Sequence, residues 1–354
     1  MYRSAIIGCG GIAPTHAKAY ADAKEIELAA VMDIVPEKAE TLGTEFGVPF
    51  YTDLAAVLAR GDIDFIDVCV PSGLHGDVLI AAAEAGKHAI TEKPLDVTPQ
   101  RCDEIIAAFK RSGTTLGGIF QHRFADGTRR TRAAIDAGRL GRITLATCST
   151  PWWRTQEYYD SGAWRGTWKL DGGGILMNQA IHAIDLLVWF CGPIRTVTAR
   201  TAMLAHERIA IEDVAVVAVE FTSGALGAIQ GTTAAYPGDA VRHEVMGTDG
   251  MVYLESDRVA LWKLRDEIEA GASGEQTAAA QDEGTGASSD PLAVSSNVFT
   301  RNIDDIARSA RDGTEPLVSG EQHKLAVEVI CAAYVSAQTG KTVELPLGAF
   351  TPKV

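Results

Sequence analysis

The sequence has no long apolar run, no paired-cysteine motif and no surplus of positive charge, and each lack removes a class of function. No stretch reaches the ~20 apolar residues that a membrane-spanning helix needs, so no membrane partner is expected. The six cysteines (Cys9, Cys69, Cys102, Cys148, Cys191 and Cys331) are scattered, with no CxxC and no metal-ligand spacing. That excludes a disulfide framework and predicts reduced thiols and no metal. Lys and Arg number 32 against 46 Asp and Glu, a formal net charge of -14. Such a surface repels phosphate backbones and anionic lipid, so nucleic acid is not an expected partner either. The opening MYRSAIIGCGG lacks the apolar core of a leader and enters a strand at once, which predicts a cytoplasmic protein.

What is present is a 354-residue chain, 46% hydrophobic, of a length that suits two domains. The first third alternates strand and helix: SAIIG, PTHAKAYADA, IELAAVMD, PEKAETLGTEFG, DFIDVCV, HGDVLIAAAEAG, KHAIT, TPQRCDEIIAAFKRSG, TLGGIF. Repeated β-α units of this length predict a parallel, doubly wound α/β sheet over residues 1–122. Residues 123–354 change character. A helix, GTRRTRAAIDAGRLG, a strand, RITLATCST, an aromatic loop, PWWRTQEYYDSGAWRGTWKLDGGG, and a long helix, ILMNQAIHAIDLLVWF, precede a run of strands with hairpin turns at SGALG and GTDGM. This predicts an α+β domain on an antiparallel sheet. Residues 265–292, rich in Ala, Gly, Ser, Glu and Gln, read as a flexible loop. There is no internal repeat.

IIGCGGIAPTHA gives Gly8-x-Gly10-x-x-Ala13 between a strand and a helix. Gly8 allows the tight turn, Gly10 lets backbone approach a pyrophosphate, and Ala13 permits close packing. With Gly11 and Ile12 the helix start offers N–H groups to an anion. Asp33 ends the second strand, where a carboxylate holds the ribose hydroxyls of an adenosine and repels a 2′-phosphate. Ile34 follows it where a phosphate-binding Arg would stand, so NAD is favoured over NADP. Its other reading is a turn or helix-capping aspartate. Pro71, Ser72 and His75 in CVPSGLH lie at the same sheet edge, either touching the cofactor or forming a plain turn with Ser72 as a cap.

TEKPLD places Lys93 at the end of the next strand, between Glu92 and Pro94. A lysine there can bind a substrate hydroxyl, stabilise an alkoxide or join a proton relay. Pro94 restricts it and is a candidate for a cis bond. Glu92 is either a supporting partner or a cofactor contact. In DGGGILMNQAIHAID, Asn178 and His182 stand four apart on one expected helix face, with Asp185 three further on. His182 is the natural proton acceptor. Asn178 orients a hydroxyl but is no base. Asp185 either fixes the histidine or satisfies nearby backbone. Gly172 to Gly174 let something approach the helix start closely. A core histidine on an apolar helix is the alternative for His182.

Taken as an ordered set, IIGCGGIA, VPSGLHGDV, TEKPLDVT, QHRF and GGGILMNQAIHAIDLL resemble the Gfo/Idh/MocA family of oxidoreductases over nearly the whole chain. The resemblance implies an N-terminal Rossmann domain and a C-terminal α+β domain with a large open antiparallel sheet. It further implies a homodimer or homotetramer through that sheet. The family's lysine falls on Lys93 and its helix histidine on His182; Asn178 departs from the aspartate common at its position. The implied reaction is NAD-dependent hydride transfer between nicotinamide and a secondary alcohol or ketone of a sugar, an inositol-like polyol or a nucleotide sugar. His182 takes the hydroxyl proton and Lys93 stabilises the oxygen. Substrate contacts are expected from Lys93, Arg123, Trp153, Tyr158, Trp164, Arg165, Asn178 and His182, since aromatic faces suit sugar C–H faces and Arg suits hydroxyls or carboxylates. A cofactor-sensing regulator and a redox-neutral, NAD-dependent glycoside-cleaving enzyme are the competing functions.

Overall fold

The computed structural model describes residues 1–276 and 296–351, which fall into two compact units. The first begins with β1 (Tyr2–Ile7), α1 (Ala13–Asp22), β2 (Ile26–Met32), α2 (Pro36–Phe46), β3 (Phe50–Tyr51), α3 (Leu54–Leu58), β4 (Phe65–Val68), α4 (His75–Glu84), β5 (His88–Thr91), α5 (Pro99–Ser112) and β6 (Leu116–Gly118). The second holds α6 (Asp126–Asp136), β7 (Ile143–Pro151), α7 (Gln156–Asp160), α8 (Ile175–Asn178), α9 (Ile181–Cys191), β8 (Ile194–Ala202), β9 (Val214–Phe221), β10 (Leu226–Thr232), β11 (Arg242–Gly247), β12 (Gly250–Glu255), β13 (Arg258–Leu264), α10 (Arg265–Glu269) and β14 (Glu275–Gln276). The chain then returns to the first unit with α11 (Ser296–Asp312), continues through α12 (Gly320–Thr339), and adds β15 (Val343–Glu344) to the second sheet.

The first sheet runs β3-β2-β1-β4-β5-β6, all parallel. All four residues of β4 are buried, as in strands covered on both faces. Local signals set the helix ends. Thr98 caps α5 by accepting from the Arg101 N–H, Pro99 opens the helix, and Gly113, at φ 70°, closes it. Ile6, Tyr20, Val31, Phe65 and Ile90 form the core together with Phe299, Ile303 and Ile306 of α11. The expected second domain, 123–354, is therefore corrected. Residues from α11 to Lys324 belong with the first unit, because the apolar face of α11 is buried in that core. The chain passes between units at Gln121 and His122.

The second sheet has order β14-β13-β12-β11-β7-β10-β9-β8-β15. It is antiparallel except at β7 and β10, which pair in parallel from Leu145↔Leu226 to Pro151↔Thr232. Its strands alternate: Ala215, Val217, Val219 and Phe221 of β9 are buried while Val216 is exposed. One face thus covers a core with Leu186 and Phe190 of α9, and the other is open. The expected loop 265–292 is ordered in its first part, as α10 and β14. Backbone pairing of Glu275 and Gln276 with Trp262 and Leu261 overrides their weak strand propensity; 277–292 lie outside the described residues. Among the described residues, no helix is long and apolar enough to cross a membrane.

The expected long helix from Ile175 is two helices. The Ala180 N–H bonds the Ile175 carbonyl, five residues back, at 2.7 Å, and this wider turn separates α8 from α9. Asn178 and His182 are therefore not successive positions on one regular helix face. The glycines before α8 admit protein, not ligand: a Cβ on Gly174 would overlap the Glu212 carbonyl oxygen, and one on Gly173 the Tyr334 hydroxyl. Glu212 accepts from the N–H groups of Gly174 (2.9 Å) and Leu176 (3.0 Å) and from the Tyr334 hydroxyl (2.9 Å). Burial nevertheless pushes its pKa up to about 7. A carboxyl whose folded pKa lies above its unfolded value stabilises the fold when protonated, and that contribution is lost as pH rises through the folded pKa. Urea unfolding from pH 5 to pH 8 is therefore expected to show wild type losing ~1–3 kcal/mol relative to Glu212→Gln. Parallel pH profiles for the two proteins would contradict this role.

Candidate functional site

In the first unit, the glycine turn and Lys93 stand at one edge of the sheet, since β1 and β5 are parallel and each runs into its motif at its C-terminal end. Gly8 has φ 97°, and a Cβ there would meet the Cys69 carbonyl and the Val70 nitrogen at 2.8 Å; glycine is needed to make the turn. At Gly10 a Cβ would meet nothing within 4 Å, so its smallness serves space outside the protein's own packing. Gly11 is exposed and Ile12 half-buried. No side chain caps α1; its Ala13, Thr15 and His16 N–H groups bond the carbonyls of Gly10 and Ile12 and Pro14 has none, so the N–H groups suited to an anion are those of the turn before it, Gly10 to Ile12. Asp33 accepts from the N–H groups of Cys9 and Val35, each at 2.8 Å. It is thus a turn aspartate, as its second reading held, yet a carboxylate has further lone pairs for ribose hydroxyls. The open cradle at Gly10, the N–H groups of the glycine turn and Asp33 together fit a dinucleotide.

The TEKPLD segment is clamped at three points. Glu92 is buried and accepts from His16 Nε2 (2.9 Å) and from the Lys93 backbone N–H (3.0 Å). His75 is 1% exposed, with Nδ1 2.7 Å from the Pro94 carbonyl and Nε2 2.9 Å from that of Val70. Asp96 accepts from the N–H groups of Gly76 (3.1 Å) and Val97 (2.6 Å), and burial pushes its pKa up to about 6. Lys93 itself is half-buried and the Lys93–Pro94 peptide is cis. Two residues expected at the cofactor are engaged within the protein, Glu92 in the supporting role that was one of its two readings. His75 braces the turn, and burial pushes its pKa down; Glu92 faces His16 and the Lys93 backbone. Pro71 precedes a single 3-10 turn, Ser72–Leu74, and Ser72 is buried there. It does not cap α4, which has no side-chain cap.

In the second unit, His182 is half-buried on the first turn of α9. The His122 ring meets it edge-on, centroids 5.0 Å apart, and His122 Nδ1 bonds the Asp257 carboxylate. Burial lowers the His122 pKa, but Asp257 outweighs that and holds it above the usual value. Asp185 does not orient His182. It receives Arg123 through Nε (2.9 Å) and Nη2 (2.6 Å), and both side chains are buried. Arg123, expected in the substrate pocket, is so committed to a buried pair at 1% exposure. Asn178 donates from Nδ2 to Asp171 at 2.5 Å, which fixes the orientation of its amide. Arg165 donates to the Tyr158 hydroxyl at 2.6 Å, with its guanidinium carbon 4.2 Å from the Tyr158 ring and 4.5 Å from that of Trp164. Gln179 also donates to Tyr158, at 3.4 Å. Trp153 stands apart from this set, bridging Ala234 and lying edge-on to Tyr236.

The sequence reading omitted His16, Asp67, His122, Asp257, Asp171 and Gln179. Two of them carried a signal: Asp67 interrupts the apolar run DFIDVCV, and His16 shares the buried face of α1 with Ala13, Ala17 and Tyr20. A charge inside a covered strand needs a partner on the covering helix. His16, Asp67 and Cys69 lie close enough to share an ion, but both His16 nitrogens are engaged by carboxylates.

The contrast between the two glycines is testable. Gly8→Ala is expected to cost ~2–3 kcal/mol of stability. Gly10→Ala leaves the unfolding midpoint close to wild type but weakens NADH binding at least about tenfold, because its Cβ enters only the space a pyrophosphate would use. In the same fluorescence titration Asp33→Ala narrows the preference for NADH over NADPH. A Gly10→Ala protein with wild-type NADH affinity would count against this cradle.

Comparison with known proteins agrees with the geometry. Residues 2–119 match the model of the oxidoreductase family with an NAD-binding Rossmann fold, and residues 128–253 that of the GFO/IDH/MocA C-terminal domain. A D-apiose dehydrogenase of Paraburkholderia graminis is 28% identical, over 97% of this chain and 90% of its own. An inositol 2-dehydrogenase of Rhizobium meliloti is 30% identical, over 72% and 76%. The structure of the WlbA dehydrogenase from Bordetella pertussis, solved with NADH and UDP-GlcNAcA, is 32% identical with a TM-score of 0.83, covering 98% of this chain and 99% of the other. The two family models together match most of the chain, and relatives at 30% and 32% identity cover more than two thirds of it, so the protein is an NAD-binding oxidoreductase of the Gfo/Idh/MocA family.

Proposed function

We propose that the protein oxidises a secondary alcohol of a sugar, polyol or nucleotide sugar, or reduces the matching ketone. The observation that carries this reading is Lys93, half-buried in a clamped turn at the sheet edge that also bears the glycine turn. NAD, when bound, supplies the hydride acceptor. Gly8, Gly10, Gly11, Ile12 and Asp33 hold it, with Pro71 and Ser72 at the same edge. The Lys93 ammonium binds the substrate oxygen and favours its alkoxide character. His182 accepts the hydroxyl proton. Asn178, its amide fixed by Asp171, orients a neighbouring hydroxyl.

Tyr158, Trp164 and Arg165 offer ring faces beside a guanidinium. This combination suits the C–H face of a sugar with a hydroxyl or carboxylate at its edge; Trp153 adds a further ring face. Relatives named for D-apiose and inositol, and one solved with UDP-GlcNAcA, support a polyhydroxylated substrate. The test is nicotinamide absorbance with NAD and a panel of inositols, aldoses, sugar acids and nucleotide sugars. Lys93→Ala and His182→Ala are each expected to lower kcat by about 10²–10⁴-fold. Wild-type turnover undiminished in either variant would remove that residue from the chemistry. NAD binding without turnover on any substrate would favour a cofactor-sensing regulator or a redox-neutral reaction.

The open face of the second sheet supports association of like chains. Leu226, Leu145, Met246 and Met251 are register partners across β10, β7, β11 and β12, so they form one outward row. Leu226 is 58% exposed and Leu145 39%. Contiguous exposed apolar surface of this kind marks an interface, here with a second copy. Sedimentation is expected to give a dimer or tetramer that Leu145→Glu with Leu226→Glu dissociates. A monomeric wild type would end this reading.

A further inference from the structure

The buried centre of the first unit is a chain of alternating charge. Asp67, on β4, lies 2.8 Å through Oδ2 from His16 Nδ1; His16 Nε2 lies 2.9 Å from Glu92 Oε1; Glu92 Oε2 accepts the Lys93 backbone N–H at 3.0 Å. His16 and Asp67 are 0% exposed and Glu92 8%. The Tyr20 hydroxyl donates to Asp67 Oδ2 at 2.9 Å, and Ser4 Oγ lies 2.9 Å from Tyr20. Phe299 closes the site with its ring 5.2 Å from the imidazole. An imidazole set between two carboxylates is most favourable as a cation donating from both nitrogens. Burial opposes that charge, but Asp67 and Cys69 outweigh it and hold the His16 pKa well above the usual value. His16 also stands on the fourth residue of α1, the helix that begins at the glycine turn.

We propose that His16 is a positioning residue, which through Glu92 fixes the backbone of Lys93 to the dinucleotide-binding helix. Removing the Nε2 donor leaves Glu92 without its fixed partner, and a carboxylate not held by His16 no longer presents Oε2 to the Lys93 N–H in one geometry. Nothing else in the oxidoreductase reading requires a histidine at this place. The inference rests on that reading only for the catalytic meaning of Lys93; the geometry it concerns is contained in the first unit.

Two near-isosteres separate positioning from mere packing. The amide of His16→Asn replaces the Nδ1 donor to Asp67, and that of His16→Gln replaces the Nε2 donor to Glu92. Amide hydrogen exchange of the full chain, with and without NADH, reads the Lys93 N–H directly. His16→Asn is expected to speed Lys93 exchange about tenfold, the scale of one hydrogen bond to a charged acceptor. His16→Gln is expected to stay near wild type, and the core amide of Ile6 to be unchanged in both. With a substrate from the panel, His16→Asn lowers kcat with little change in KM, and His16→Gln restores much of it. Equal Lys93 exchange in all three proteins, or acceleration of Ile6 and Lys93 together in both variants, overturns the proposal. If His16→Asn does not fold, the wild-type ring is read by nitrogen NMR at pH 7. Both nitrogens protonated, with a slowly exchanging Nε2–H, supports the proposal, and an unprotonated Nε2 overturns it. A wild type without turnover would count against the dehydrogenase reading while the exchange result still decides the role of His16.

Discussion

Placing an imidazole between Asp67 and Glu92 with almost no solvent constrains everything packed around it. Each ion taken from water costs several kcal/mol even after relaxation, and only close, well-aligned partners offset it. The cost of losing any member is therefore high, and the three carriers are tied to one another: α1 through His16, β4 through Asp67, and the end of β5 through Glu92. The helix that begins at the glycine turn is thus also hydrogen-bonded, through His16 and Glu92, to the lysine turn. Outer clamps tie the same six residues to α4, His75 through the Pro94 carbonyl and the Gly76 N–H through the Asp96 carboxylate. A side chain on a turn so held loses little entropy on meeting a substrate oxygen, which is the condition for positioning to lower a barrier.

The second unit is organised by the same economy of buried charge. Arg123 and Asp185 form a two-pronged pair that fixes the start of the domain to α9. Glu212 satisfies the N–H groups at the start of α8, where the glycines allow its backbone to come close. The five-residue turn at Ala180 then offsets α9 from α8, so that Asn178 is held toward Asp171 and His182 toward His122. Several residues with the chemistry of an active site (Arg123, Asp185, His75 and Glu92) are in this way spent on holding others. Ionisable type alone does not separate the two uses; burial and partner do.

The sequence by itself determined the features that depend on a few neighbouring residues. The turn at Gly8 follows from the need for positive φ, the start of α5 from Thr98 and Pro99 and its end from Gly113, the parallel first sheet from its repeated β-α period, and the exposure pattern of β9 from strict alternation. The candidate lysine and histidine were also evident, because their motifs are contiguous. Tertiary structure alone decided which polar groups meet. Asp67 and Glu92 lie 51 and 76 residues from His16, and Asp257 lies 135 from His122. It decided as well that β7 and β10 pair in parallel and that α11 returns to the first core. Local propensity and periodicity say how a segment bends and which face it hides. The choice of partner is set by the cost of leaving a charge or an apolar face uncovered once distant segments pack, and that cost exists only in the folded chain.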